Sequence, residues 1–162
     1  MRRTAVKGYD VSIQRTAECP TAVVKANTTW REFRTLWPTL LDEVWALLRS
    51  TPGLRTEGHN VMLYRHNVPG VEVAVEVGVQ VTGSFRAAGR VVPSILPAGE
   101  AASTVHVGVP AEIGAAHSAI RAWCSVQRRE VTGVSWEIYG DPDPRTGHFD
   151  TAVYWQLTSS AS

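Results

Sequence analysis

Residues 71–81, VEVAVEVGVQV, carry valine at every odd position, with Glu72, Glu76 and Gln80 between them. A two-residue period gives a strand one apolar and one polar face, so Glu72 and Glu76 read as a solvated strand face. Residues 9–15 and 21–26 alternate in the same way on either side of Glu18-Cys19-Pro20 and read as a hairpin. Between them and the valine run the period changes. Trp30, Phe33, Trp37, Leu40, Leu41, Val44 and Leu48 recur at helical spacing, and Thr29 and Glu32 stand at capping-box spacing. Pro38 is expected to kink or restart that helix, and Pro52-Gly53 to end it. Residues 61–65 make a third strand and 71–81 a fourth.

The same order then recurs. Residues 90–96 and 101–107 read as strands around the turn Pro97-Ala98-Gly99, and Pro110 suits the first turn of a helix. On that helix Ile113, Ala116, Ile120, Trp123 and Cys124 form one apolar face. Residues 136–139 and 149–157 close the series, joined by the loop DPDPRTGH. The expectation is a single α+β domain over residues 1–162, built from tandem β-β-α-β-β pseudo-repeats at about 8–83 and 89–158. It has antiparallel sheets and two main helices. Trp45 and Trp123 correspond late in the two helices, and Tyr64 and Tyr139 end the two third strands.

On that alignment Met62 holds the place of Glu137, within VSWEIYGD. Glutamate is depleted in strands and is almost never fully buried without a partner. Glu137 therefore faces either water or a cavity that uses its charge. Glu137 and Tyr139 share one strand face, Trp136 and Ile138 the other. If the helices cover Trp136 and Ile138, then Glu137 and Tyr139, with Met62 and Tyr64 in the first half, line the open face. In the last strand Phe149, Thr151, Val153, Trp155 and Leu157 form the continuous apolar face, which leaves Tyr154 for the cleft.

Composition narrows the classes. A length of 162 residues, 44% hydrophobic and 19% charged, fits a folded domain with a sizeable core. A net charge of +1 with scattered arginines gives no electrostatic drive toward nucleic acid or membrane. No apolar h-region opens the chain and no stretch approaches a membrane span, so a cytoplasmic protein is expected. Cys19 and Cys124 lie far apart without metal-ligand spacing, and the five histidines show neither zincin nor zinc-finger spacing. There is no G-x-S-x-G, no G-x-G-x-x-G and no P-loop, so no metal and no cofactor are expected.

In LPAGEAASTVHVG followed by a helix, SWEIYGDP and FDTAVYWQL, the chain resembles the GyrI-like small-molecule-binding family, which also provides the effector-binding domain of AraC- and MerR-type multidrug-responsive activators. The resemblance spans nearly the whole chain and is strongest from Ile95 to Leu157. It departs at Gly108-Val109-Pro110, where family members often carry an aromatic residue. It implies two modules in pseudo-two-fold relation, a ligand cleft between them, and an acidic residue at the cleft floor, which Glu137 matches. The implied ligands are planar aromatic, often cationic, small molecules. Read with the strand faces, the candidate contacts are Glu137, Tyr139, Tyr154, Tyr64 and Met62, with Trp37 and Trp123 at the cleft edge. Some family members hydrolyse cyclopropanoid DNA-alkylating natural products. On that alternative Glu137 activates a water while a tyrosine hydroxyl, Tyr154 or Tyr64, hydrogen-bonds the developing oxyanion. A protein-interaction role, such as inhibition of gyrase, is the third class. No direct nucleic-acid binding and no membrane partner are expected.

Overall fold

The computed structural model describes residues 4–6 and 8–159. In chain order its elements are β1 (Thr4–Val6), β2 (Tyr9–Thr16), β3 (Cys19–Thr28), α1 (Trp30–Arg49), β4 (Asn60–Arg65) and β5 (Val73–Gln80). They continue with β6 (Val91–Leu96), β7 (Gly99–Gly108), α2 (Gly114–Val126), β8 (Val131–Pro142) and β9 (Phe149–Leu157), with one 3₁₀ turn at Pro110–Glu112 before α2. The fold is α+β, with two helices and antiparallel strands among the described residues. It divides into two units. The inserted unit is Glu18–Pro97; the split unit comprises the described residues up to Ala17 and those from Ala98 onward.

In the inserted unit the strands run in the order β4-β5-β3-β6. Thr29 caps α1, its hydroxyl accepting from the Glu32 amide at 3.1 Å. The Glu72 carboxylate accepts from the Trp30 amide at 2.7 Å, so a residue expected to be merely solvated also neutralises the positive end of the helix. Pro38 lies inside α1, which runs on unbroken to Arg49. Phe33, Leu40, Val44 and Leu48 form its buried stripe. Tyr64, paired with Val75, packs edge-on against Phe33 at 5.7 Å, so the face of Val73, Val75, Val77 and Val79 is the one α1 covers. Glu76 points the other way but is not solvated. It is 5% exposed, with Ser94 donating to it at 2.5 Å and Arg65 at 3.3 Å. Gly78 is required by close approach: a Cβ there would lie 1.8 Å from the Ala22 carbonyl oxygen.

In the split unit the order is β1-β2-β7-β9-β8. Val11, Ala102, Val153, Trp155 and Leu157 from the sheet meet Ala116, Ile120, Trp123 and Cys124 from α2 in one core.

The expected hairpin of residues 9–15 with 21–26 does not form. β2 pairs with β7 from Ser12↔Ser103 to Thr16↔Gly99, and β3 pairs with β6 from Cys19↔Leu96 to Val24↔Val91. A two-residue hairpin loop needs positive φ at one or both loop positions. Among the described non-glycine residues only Arg128 has one, so Ala17-Glu18 and Pro97-Ala98 carry the chain onward from one unit to the other.

Candidate functional site

Strand register decides where Glu137 points. In β8 it pairs with Val153 of β9, a member of the core under α2. Directly paired residues share a face, so Glu137, Ser135, Tyr139, Thr151, Val153 and Trp155 all face the helix. This corrects the open-face expectation. Glu137 is 2% exposed and lies on the covered side.

Three side chains organise the carboxylate. Tyr139 donates its hydroxyl proton to Oε1 at 2.6 Å. His117, on the first turns of α2, meets Oε2 through Nε2 at 2.6 Å. The Trp155 indole N–H points at His117 Nδ1 at 3.0 Å. Indole nitrogen is a donor only, so Nδ1 accepts, Nε2 carries the ring proton, and His117 is a neutral donor to Glu137. Burial, the adjacent Glu137 charge and the hydrogen bond to it, in that order, push the Tyr139 phenol far above its ordinary value. It remains a donor. The Arg121 guanidinium lies over the Trp155 ring, 5.5 Å from its centre, a geometry in which the ring attracts positive charge.

The inserted unit repeats part of this arrangement in apolar form. Met62 pairs with Val77, and Tyr64 donates to the Met62 sulfur at 3.5 Å, as Tyr139 does to Glu137. Tyr64 also joins Trp30 and His66 at 5.2 and 6.3 Å in an aromatic cluster. Trp37 is half-buried on α1. These three expected residues belong to the inserted unit; Glu137, Tyr139, Tyr154 and Trp123 belong to the split one. Trp123 is 3% exposed within the core, and its indole nitrogen is buried without a partner among the described residues.

Tyr154 is not brought to Glu137. It pairs with Trp136 and stacks on it at 5.3 Å and 13°, on the opposite face of the sheet. Burial raises its phenol above the ordinary value. The expectation that it shares a site with the carboxylate fails on register. Residues that sequence reasoning missed are His117, Trp155 and Thr151. His117 had a signal, since it falls on the stripe of Ile120 and Cys124 at i, i+3 and i+7.

A groove of about 330 Å³ on the split unit is lined by Gly8, Tyr9, Asp10, Ser12, Gln14, Ser103, Thr104 and Val105. None of the expected site residues lines it, and its walls are largely polar. Among the described residues no three His, Cys, Asp or Glu side chains are grouped to hold a metal ion, and no helix is long and apolar enough to cross a membrane.

Neither any protein-family model nor any curated protein sequence matches the chain. Solved structures do. The fold is similar to that of the EcmrR C-terminal domain, with TM-score 0.75 and 17% identity over 93% of this chain and 98% of that one. It is similar to SAV2435 bound to tetraphenylphosphonium, with TM-score 0.63 and 13% identity over 92% and 94%. It is also similar to a hydrolase from Listeria innocua, with TM-score 0.57 and 12% identity over 91% of each chain. At these identities the likeness establishes the fold, which is consistent with the GyrI-like one.

Proposed function

We propose that this protein binds planar aromatic, often cationic, small molecules, with the Glu137 carboxylate as counter-charge. The observation that carries the reading is a glutamate 2% exposed among aromatic side chains. Tyr139 and His117 each meet one of its oxygens at 2.6 Å. A charge-bearing ligand seated there interacts across little water, where the attraction is several times its value in bulk solvent. Aromatic contacts add about 0.5–2 kcal/mol each. Support comes from SAV2435, a protein of similar fold whose structure holds tetraphenylphosphonium, an aromatic cation. Because Glu137 is sealed, binding entails rotation of the side chains around it. The hydrolase alternative asks for a tyrosine hydroxyl beside Glu137; Tyr154 lies on the opposite face of the sheet, which favours the binding reading.

The test is titration of rhodamine-type cationic dyes and a neutral aromatic of similar size into wild type and Glu137→Gln. Removing one member of a buried charge pair costs about 2 kcal/mol or more, so the cationic dyes should bind Glu137→Gln about 30-fold more weakly. The neutral compound should be unaffected. Equal affinity of both proteins for cations overturns the assignment.

A further inference from the structure

Thr151 has a buried hydroxyl with no assigned work. Its residue exposure is 0%, and its Oγ1 is the one side-chain hydroxyl among the described residues that is buried without a hydrogen-bond partner. A buried hydroxyl normally finds a partner, because losing water without replacement is costly. The surroundings explain why it has none among the described residues. Across the sheet Thr151 stands between Tyr139 on one side and His106 on the other. Tyr139 donates to Glu137. His106, 3% exposed, is engaged at both nitrogens, with Val109 O 3.0 Å from Nε2 and the Tyr9 hydroxyl 2.8 Å from Nδ1.

The Thr151 hydroxyl is also well placed. It lies on the same face as Glu137, at the next pair on that face, because Glu137 pairs with Val153 and Tyr139 with Thr151. The polar row of Tyr139, Thr151 and His106 therefore adjoins the carboxylate on one side. Trp155 and Ala102, paired in the other direction, continue the apolar core.

We propose that Thr151 Oγ1 and Glu137 together form a hydrogen-bonding edge that selects aromatic cations carrying exocyclic N–H donors, such as amino-acridinium or aryl-amidinium ions, over aromatic cations whose exocyclic nitrogens are fully alkylated. This rests on the reading of Glu137 as the ligand's counter-charge and adds the ligand's chemical class to it. The charge draws either kind of cation. An N–H edge offers the carboxylate one hydrogen and the threonine oxygen another, and so supplies the partner that Thr151 lacks among the described residues. An alkylated nitrogen offers neither bond, and its methyl groups press on a polar row.

Proflavine and acridine orange make the comparison. Both are planar acridinium monocations at neutral pH, and they differ in bearing free or dimethylated amino groups. Fluorescence titration of wild type should show tighter binding of proflavine. Thr151→Val, which keeps the shape and removes the hydroxyl, should weaken proflavine by about tenfold, the scale set when a hydrogen-bonding site loses one partner. It should leave acridine orange unchanged within about twofold. Thr151→Ser should retain the preference. Urea unfolding of Thr151→Val checks that the fold is intact, and Thr151→Ala repeats the comparison if valine disturbs packing. If both dyes bind wild type and depend on Glu137, but Thr151→Val shifts them equally or not at all, the threonine assignment is overturned and the glutamate one stands. If neither dye binds wild type, both are overturned.

Discussion

Replacing His117 by alanine removes the middle of the chain from Trp155 to Glu137 and should destabilise the split unit in a way that can be apportioned. The hydrogen bond to the carboxylate, a bond to a charged group, accounts for about 1.5–3 kcal/mol. The Trp155 N–H, directed at His117 Nδ1 at 3.0 Å, loses that acceptor at a further cost of about 1–3 kcal/mol. The His117 side chain is 18% exposed against 2% for Glu137, so water relieves part of the loss and the lower half of the range applies. The expected total is about 2.5–4 kcal/mol, a large share of the roughly 5–15 kcal/mol that holds a domain together. At a denaturant dependence of about 2 kcal/mol/M, the urea midpoint falls by about 1–2 M. Trp155→Phe, made in wild type and in His117→Ala, isolates the link. The indole substitution should cost about 1–2 kcal/mol less in the second background, where it removes an unpaired donor. A His117→Ala variant within about 0.5 kcal/mol of wild type, or a Trp155→Phe cost that is the same in both backgrounds, refutes the hydrogen-bonded chain.

Two further outcomes follow from single residues. Tyr139 holds its proton in the folded state well past the ordinary phenol value of 10.0, chiefly through burial and then through Glu137. The unfolded chain releases that proton first, so the stability Tyr139 contributes is whole below pH 10 and is lost as pH rises above it. Absorbance at 295 nm, compared with Tyr139→Phe, should show this tyrosine ionising only as the protein unfolds; reversible ionisation with native circular dichroism contradicts it. Gly78→Ala should destabilise the inserted unit by about 3 kcal/mol, because its Cβ would stand 1.8 Å from a backbone oxygen. Unchanged thermal unfolding refutes that.

The element order and the capped start of α1 were legible because period and capping chemistry are local. Glu137 stood out for the same reason, as a charge inside an aromatic strand. Its face was misread because alternation says which residues share a side and leaves open which side the helix covers. Only the pairing of Glu137 with Val153, and of Trp136 with Tyr154, settles that, and pairing depends on residues far off in sequence. Partner choice escaped in the same way when β2 turned out to pair with β7. Glu76 looked solvated because its partners, Arg65 and Ser94, lie on other strands. Thr151 gave no signal at all. Threonine is an ordinary strand residue, and a missing partner is visible only once every neighbour is in place.

The interleaving of the two units gives the chain a schedule during its manufacture. The inserted unit is one contiguous stretch, Glu18–Pro97, and can close as soon as it leaves the ribosome. β2 is made earlier, yet the strand it needs begins at Gly99, 83 residues beyond Thr16. At about 5–20 residues per second, β2 waits roughly 4–17 seconds with an open edge. During that interval the nascent chain is a finished half joined to a strand whose β7-facing edge is open, which is when a chaperone, or a neighbouring nascent copy supplying the wrong β7, has its opportunity.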